Sequence, residues 1–252
     1  KEWQDKYNLL IIIATHSLQI LEQIDGKHIY YIENGKILNP IYHGYITSLL
    51  YEHEYYDRII LVEDGLTEKF IEKIIKSKLN ISNLNYRIIP IGGYLQVLST
   101  QKDNEKLKFY GKAKAISILD GDVINNKDIK KYKDIEKYFL PFKNIECHTI
   151  ELLKNDSFKY FIEQLIYPTK LKDLKIDKID ELLNSKNSFE DIFSNTDAIK
   201  KTYDKLICEC SNVTKKQKIE IENDIVDFIF KYEIKNGNLK KIIKHLEKFF
   251  EA

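Results

Sequence analysis

The sequence contains no methionine, few cysteines and no long apolar run. Because proteins begin with methionine, we expect this chain to be an excerpt of a longer protein. The longest unbroken apolar run, Leu9 to Ala14, has 6 residues, whereas a transmembrane helix needs about 20. No secretory signal is recognisable either. The sequence therefore predicts no membrane segment and no membrane partner.

An excess of charge of one sign is also missing. The chain has 40 basic and 39 acidic residues, a formal charge of +1. This balance excludes a global positive field for nucleic acid, although a local basic patch would suffice for binding. The cysteines are odd in number, and Cys208 and Cys210 lack partners at the spacing of a zinc site. We expect a reducing, cytoplasmic environment.

The clearest positive signal is an apolar strand that runs into acidic residues. Ile59 to Val62 is a continuous apolar run, typical of a strand in a parallel sheet, and Glu63-Asp64-Gly65 follows at once. From Leu66 onward, apolar residues recur at helical spacing. Ligands of open α/β sheets bind beyond the carboxyl ends of the strands, and Glu63 occupies that position.

Two further strands end in polar or glycine residues. Ala115 to Leu119 runs into Asp120-Gly121-Asp122, whose two aspartates point to one side if the segment is extended. Tyr86 to Ile91 predicts a strand that closes with Gly92-Gly93. Each motif alone is commonly only a turn. Their occurrence at the ends of successive strands favours a shared site.

An acid after one strand, a glycine pair after the next and Asp-x-Asp after the third resemble the Toprim domain. This is the metal-binding fold of type IA and II topoisomerases, primases and some nucleases. The resemblance implies an α/β fold with a largely parallel, Toprim-like Rossmannoid sheet. The helical spacing of apolar residues beyond it predicts a C-terminal helical appendage. It also implies catalytic roles for Glu63, Asp120 and Asp122. Clustered carboxylates suit Mg²⁺ or Mn²⁺, and such ions can activate water and stabilise a phosphodiester leaving group.

The N-terminal segment resembles the end of an ABC-type ATPase domain. Leu9 to Ala14 predicts another buried strand, and Thr15-His16-Ser17 resembles the switch whose histidine senses the ATP γ-phosphate. His16 is therefore the cofactor-binding candidate, and Asn34-Gly35 predicts the hairpin that follows. No phosphate-binding G-x-x-x-x-G-K-[ST] occurs. We expect ATP to act only through an upstream domain, and this chain to neither bind it tightly nor hydrolyse it.

An ATPase end that leads into a Toprim domain is similar to the overcoming-lysogenization-defect (OLD) nucleases, which act in bacterial defence against phage. Residues 62–68 match the family's Val-Glu-Gly-x-Thr-Glu motif with one residue inserted. Glu63 then matches the first acid and Glu68 the second, while Asp64 could substitute for either. Glu146 is a further metal-ligand candidate. Its alternative reading is structural, because the macrodipole favours an acid in the first turn of a helix.

The predicted organisation is an ATPase end at 1–45, a Toprim domain at 46–160 and a helical region at 161–252. We predict a helix from Asp128 to Tyr138, a second one opening at Asn144, and an irregular stretch from Leu165 to Asn195. Three helices are predicted after it, at 197–210, 215–232 and 238–250. The helical region packs as an appendage or forms an oligomerisation surface, and the sequence does not decide between these. The remaining histidines, among them His148 and His245, are interpreted as structural.

These observations predict a Mg²⁺- or Mn²⁺-dependent endonuclease gated by an upstream ATPase domain. The expected substrate is DNA, with RNA as the alternative, and self-association is expected through the ATPase region or a partner protein. A topoisomerase is disfavoured, because none of the 17 tyrosines lies in a recognisable nucleophile context. The alternative hypothesis is a noncatalytic regulatory or interaction module that keeps the fold without cleaving nucleic acid.

Overall fold

The structure is a computed structural model that describes residues 7, 10–15, 17–21, 23–33, 35–41, 56–81, 84–108, 110–184, 189–193 and 195–251. The chain divides into two compact units. The first comprises Lys1–Arg58, Ser82–Arg87 and Lys112–Lys114, and the second comprises Ile59–Ile81, Ile88–Gly111 and Ala115–Ala252. The predicted boundaries after residues 45 and 160 stay predictions.

The first unit contains a β-hairpin and a small apolar core. Strands β1 (Tyr31–Glu33) and β2 (Lys36–Leu38) pair antiparallel, with Gly35 between them at a φ of 76°. The hairpin predicted from the Asn-Gly pair is therefore confirmed. The hairpin is preceded by helix α1 (Leu18–Leu21) and a 3-10 helix (Gly26–His28). The core consists of Leu21, Ile29 and Ile41.

A four-stranded parallel sheet, with the order β4-β3-β5-β6, gives the chain a Rossmann-like α/β fold. Its strands are β3 (Arg58–Val62), β4 (Tyr86–Pro90), β5 (Lys114–Leu119) and β6 (Lys137–Phe139). All residues of β3 are buried, as expected for a strand covered on both faces. The strands predicted at 59–62, 86–91 and 115–119 are confirmed to within one residue at each end.

Helices follow three of these strands. They are α2 (Gly65–Lys78) after β3, α3 (Tyr94–Leu107) after β4, and α4 (Ile145–Leu152) after β6. The side chains of Phe70, Ile71 and Ile74 on α2 are fully buried, which confirms the helical apolar spacing seen in the sequence. Strand followed by helix is the repeating pattern that produces a parallel sheet with covered faces.

The described residues after α4 are mainly helical. Their elements are α5 (Asp156–Leu165), a 3-10 helix (Leu171–Leu174), α6 (Asp177–Asn184), α7 (Phe189–Ile192), α8 (Thr196–Thr214), α9 (Lys218–Asn236) and α10 (Lys240–Glu251). Helix α8 packs against α4, α9 packs against α2, and α10 packs against α2 and β6. The three helices predicted near the C-terminus are confirmed, and they lie against the helices that follow the sheet strands.

Three local predictions were wrong. Residues 10–14 form no strand, and Leu10 and Ile12 are 84% and 85% exposed; no described strand pairs with this segment. The helix predicted from Asp128 to Tyr138 is a 3-10 helix (Lys127–Tyr132) followed by β6, because pairing with β5 outweighs the local helical pattern. The stretch predicted to be irregular before Asn195 contains α6 and α7.

Candidate metal centre

Glu63 and Asp120 lie at the carboxyl ends of the adjacent strands β3 and β5. The backbone N–H of Asp120 donates to Oε1 of Glu63 at 2.9 Å, and the backbone of Tyr94 is close enough to lower the pKa of this carboxylate. Tyr94 follows Gly92-Gly93, and the N–H of Gly92 donates to the Glu63 carbonyl at 2.9 Å. The three predicted motifs therefore meet at one edge of the sheet.

Asp64 and Thr67 fix the start of helix α2. Asp64 is the N-cap, and its Oδ1 accepts the backbone N–H of Thr67 at 2.8 Å. Thr67 is fully buried, and its hydroxyl lies 3.3 Å from Oδ1 of Asp120, to which it donates. The residue inserted into the OLD-like motif thus caps the helix. This cap leaves Glu63 at the end of the strand.

The Asp120-Gly121-Asp122 loop is held against the segment that leads into α4. The N–H of Gly121 donates to the carbonyl of Phe142 at 3.1 Å, and that of Asp122 donates to the carbonyl of Lys143 at 3.3 Å. A Cβ on Gly121 would lie 2.3 Å from the Phe142 oxygen, so the approach requires glycine. Gly121–Val123 forms a 3-10 turn, which corrects the extended geometry predicted for the two aspartates. Asp120 is buried, whereas Asp122 is exposed.

Helix α4 brings Glu146 to the same region. Asn144 caps this helix through the N–H of Cys147 at 2.8 Å, so Glu146 lies in the first turn. Its Oε2 is buried and has no hydrogen-bond partner among the described residues. Its Oε1 lies 3.6 Å from Nζ of Lys200, a residue of α8. The helical region thus contributes a cation to the acidic cluster.

The pKa values of the carboxylates show that the acids are close enough to affect one another. Burial raises the pKa of Asp120 to about 8, with further contributions from the charges of Glu63, Asp64, Asp122 and Glu146. Partial loss of hydration around the carboxylates also raises the pKa of Glu63, Asp122 and Glu146. Lys200 counteracts this for Asp122 and Glu146. Like charges held this close favour protonation or the binding of a cation.

Some of the predicted site residues lie in the acidic cluster and others do not. The structure brings together Glu63, Asp64, Asp120, Asp122 and Glu146. Glu68 lies in the first turn of α2, and no described residue forms a hydrogen bond or ion pair with its carboxylate. His16 lies outside the described residues. Sequence reasoning missed Thr67, which the Asp-x-x-Thr capping pattern could have revealed, and Lys200, for which no local signal exists among 40 basic residues.

The fit of a divalent cation can be judged from the donor atoms. Within the described ranges, no three Asp, Glu, His or Cys side chains already have the arrangement of a formed metal site. The available donors are nevertheless hard carboxylate oxygens, which suit Mg²⁺ or Mn²⁺. The unpartnered, buried Oε2 of Glu146 and the raised pKa of Asp120 are both relieved by a bound cation. The residues present therefore fit such an ion.

Comparison with protein-family models, curated proteins and solved structures gives no match. The site is accordingly interpreted from its own geometry. None of the described helices is long and apolar enough to cross a membrane.

Proposed function

We propose that this chain carries the metal-dependent site of a Toprim-type nuclease of the OLD kind, which cleaves nucleic-acid phosphodiesters in the cytoplasm. The proposal is supported above all by the positions of Glu63 and Asp120 at the carboxyl ends of adjacent parallel strands. The backbone N–H of Asp120 donates to the Glu63 carboxylate at 2.9 Å. Acids in a partly buried cluster with raised pKa values are typical of functional sites. A fixed strand end also holds such side chains rigidly.

Glu63, Asp120 and Asp122 would hold Mg²⁺ or Mn²⁺, with Asp64, Glu68 and Glu146 as additional ligands. The ion would supply Lewis acidity toward the phosphodiester and activation of a water. Thr67 orients Asp120 through its hydroxyl, and Asp64 fixes the first turn of α2. Lys200 adds a positive charge beside Glu146, where a substrate phosphate would be attracted. Control of cleavage by an upstream ATPase domain, and a role in defence against phage, belong to the same proposal.

The test is cleavage of supercoiled plasmid in the presence of Mn²⁺. The wild-type chain should give nicked or linear product, and Glu63→Gln should give none while its circular dichroism spectrum and cooperative melting show that it stays folded. Glu105→Gln is the matched control, because Glu105 is exposed on α3 and loses the same charge away from the site. If Glu63→Gln cleaved at the wild-type rate, the first ligand would be Asp64 instead.

A noncatalytic regulatory module is the second candidate. One observation favours it: the carboxylates of Glu63 and Asp64 both accept backbone N–H groups, which is a structural use for these side chains. Lack of plasmid cleavage by both this chain and the full-length protein, with Mn²⁺ present, would support this candidate and exclude the nuclease.

A further inference from the structure

Helix α10 has two chemically different faces. Its buried face contains Ile242, Leu246, Phe249 and Phe250, which pack into the core of the second unit. On another face lie Lys241, Lys244, His245 and Lys248. Their spacing of three, four and seven residues places them on one side of a helix. The three lysines, here named the α10 lysine stripe, are exposed.

The α10 lysine stripe forms no ion pairs with described residues, although Glu247 and Glu251 follow Lys244 and Lys248 by three residues on the same helix. No described residue forms an ion pair or a hydrogen bond with Lys241, Lys244 or Lys248. Some lysines elsewhere in the unit do form ion pairs, such as Lys69 with Glu222 and Lys73 with Asp227 on α9. Unpaired lysines in a row leave a local positive field, although the chain as a whole has a formal charge of only +1.

The pKa of His245 is affected by this positive field. Burial lowers the pKa of His245, and the positive charges of Lys241, Lys248 and Lys244 lower it further, while Glu136 raises it. The hydroxyl of Tyr138 donates to the Glu136 carboxylate. The imidazole therefore stands beside three cations and one acid that is already hydrogen-bonded.

The stripe has a fixed position relative to the acidic site. The ring of His245 stacks on that of Tyr138, with centroids 4.1 Å apart, and Tyr138 is on β6, at the edge of the sheet. Tyr138 pairs with Ile118, two residues before Asp120 along β5. At about 3.3 Å per residue, the stack lies roughly 7 Å along the strand direction from the end that carries the acids.

We propose that the α10 lysine stripe binds the phosphate backbone of the nucleic acid that the acidic site cleaves. This inference rests on the proposed function. It assigns the contact with nucleic acid to a local basic surface, because the net charge of the whole chain indicates none. Lysines separated by one turn of helix contact successive phosphates as point charges, without reading sequence. A membrane surface fits less well, because an interfacial helix needs a free apolar face and that of α10 is buried.

The test measures binding separately from cleavage. A labelled duplex is titrated with the whole chain in EDTA, in a salt series from about 50 to 200 mM. Each lost lysine–phosphate contact lowers the slope of log affinity against log salt by about 0.9. The variant Lys241→Gln/Lys244→Gln/Lys248→Gln should therefore lose up to about 2.7 of slope, so this salt increase should weaken wild type about 40-fold more than the variant.

The control carries the same change in charge without the clustering. Lys106, Lys172 and Lys231 are exposed lysines on three separate helices, and their joint replacement by Gln should leave the slope near that of wild type. Lys244→Gln alone should give about one third of the loss of salt slope seen in the triple stripe variant. Circular dichroism should show unchanged helix content, because every substituted side chain is exposed.

The outcomes separate the two proposals. Equal losses of salt slope in the stripe and control variants, or no duplex binding by wild type, would overturn the proposal that the α10 lysine stripe binds nucleic acid. Wild type that binds phosphatidylserine vesicles but not the duplex would also overturn it, in favour of a membrane surface. Stripe-dependent binding of the duplex, with no plasmid cleavage in Mn²⁺ by either this chain or the full-length protein, would support nucleic-acid binding by the stripe and overturn the nuclease.

Discussion

Asp120 carries the heaviest electrostatic cost among the residues of the site. It is 6% exposed, and burial together with the charges of Glu63, Asp64, Asp122 and Glu146 raises its pKa to about 8. Its only described side-chain partner is the hydroxyl of Thr67. A buried acid that is this poorly compensated destabilises the folded chain at neutral pH unless it holds a proton or a cation.

The first prediction concerns the pH dependence of stability in chelator. Because the folded pKa of Asp120 lies above the ordinary value of 3.8, the folded state keeps a proton that the unfolded state has lost. The free energy of unfolding should therefore fall as pH rises from about 4 to 8, by up to about 1.4 kcal/mol per pH unit. Asp120→Asn cannot ionise and should flatten this fall, as measured by chemical denaturation across the range.

Asp122→Asn is the matched control, because it removes the same charge from an exposed position beside Lys200 and Lys143. It should change the pH dependence less than Asp120→Asn does. A pH profile of Asp120→Asn that coincides with that of wild type would show that Asp120 titrates normally.

The second prediction concerns Gly121. A Cβ at this position would lie 2.3 Å from the Phe142 oxygen and 2.7 Å from the Leu140 oxygen, and these are backbone atoms with little freedom to move. Gly121→Ala should reduce the free energy of unfolding by about 1–3 kcal/mol, measured in urea. Gly65→Ala should change it by less than about 1 kcal/mol and in the stabilising direction, because nothing lies within 4 Å of a Cβ there.

At the scale of elements, helix α4 is anchored to α9 by a buried polar group. Nε2 of His148 lies 2.8 Å from Oε1 of Glu233, and the side-chain amide of Asn238 donates to Oε2 of Glu233 at 2.6 Å. The Phe142 ring stacks on the His148 imidazole, with centroids 4.4 Å apart. Because α4 also carries Glu146, this group fixes the position of one wall of the acidic site.

The third prediction tests this anchor by NMR titration of His148. Burial lowers the pKa of His148, but Glu151 and Glu233 outweigh it, so the net pKa is raised. Glu233→Gln should lower this pKa. Glu151→Gln should lower it less, because the Glu151 carboxylate is 3.8 Å from Nδ1, beyond hydrogen-bond distance. Equal effects of the two variants would contradict the assignment.

The contact between His148 and Glu233 also predicts how stability depends on pH. Because the folded pKa of His148 is raised, its contribution to stability is fully present below about 6.5 and is lost as pH rises through the folded value. In Glu233→Gln the free energy of unfolding should depend less on pH in this range, because only Glu151 still raises the pKa of His148.

At the scale of the whole second unit, the helical region supports the sheet helices that carry the acids. Ion pairs join Lys69 and Lys73 of α2 to Glu222 and Asp227 of α9 at 2.5 and 2.6 Å. These partly exposed pairs contribute little energy individually. The larger contribution is apolar, since the buried faces of α8 and α9 pack against α4 and α2.

The fourth prediction concerns metal binding by the intact chain. A ligand that binds only the folded state stabilises it by about 2.7 kcal/mol at a hundredfold excess over its dissociation constant. Mn²⁺ should therefore raise the melting temperature of wild type. The double variant Glu63→Gln/Asp120→Asn should gain much less, because two of the three proposed principal ligands are neutral in it. Equal gains in both proteins, relative to chelator, would argue against this metal site.

The sequence by itself determined the parts of the fold that are encoded over a few neighbouring residues. The apolar runs that became β3, β4 and β5, the glycine pair, the acidic strand ends and the C-terminal helices all follow from local periodicity and turn chemistry. Glu63 and Asp120 could be named as site residues because parallel strands place their carboxyl ends at one edge. These inferences needed no knowledge of distant contacts.

Only the tertiary structure decided which residues complete the site. Lys200 reaches Glu146 because α8 packs on α4, and nothing local to Lys200 specifies that approach. The 3-10 turn that separates Asp122 from Asp120 follows from hydrogen bonds to Phe142 and Lys143, and β6 forms where a helical pattern was read because β5 is available to pair with it. The physical reason is the same in each case: local propensities differ by about 1 kcal/mol or less, so long-range pairing and burial override them.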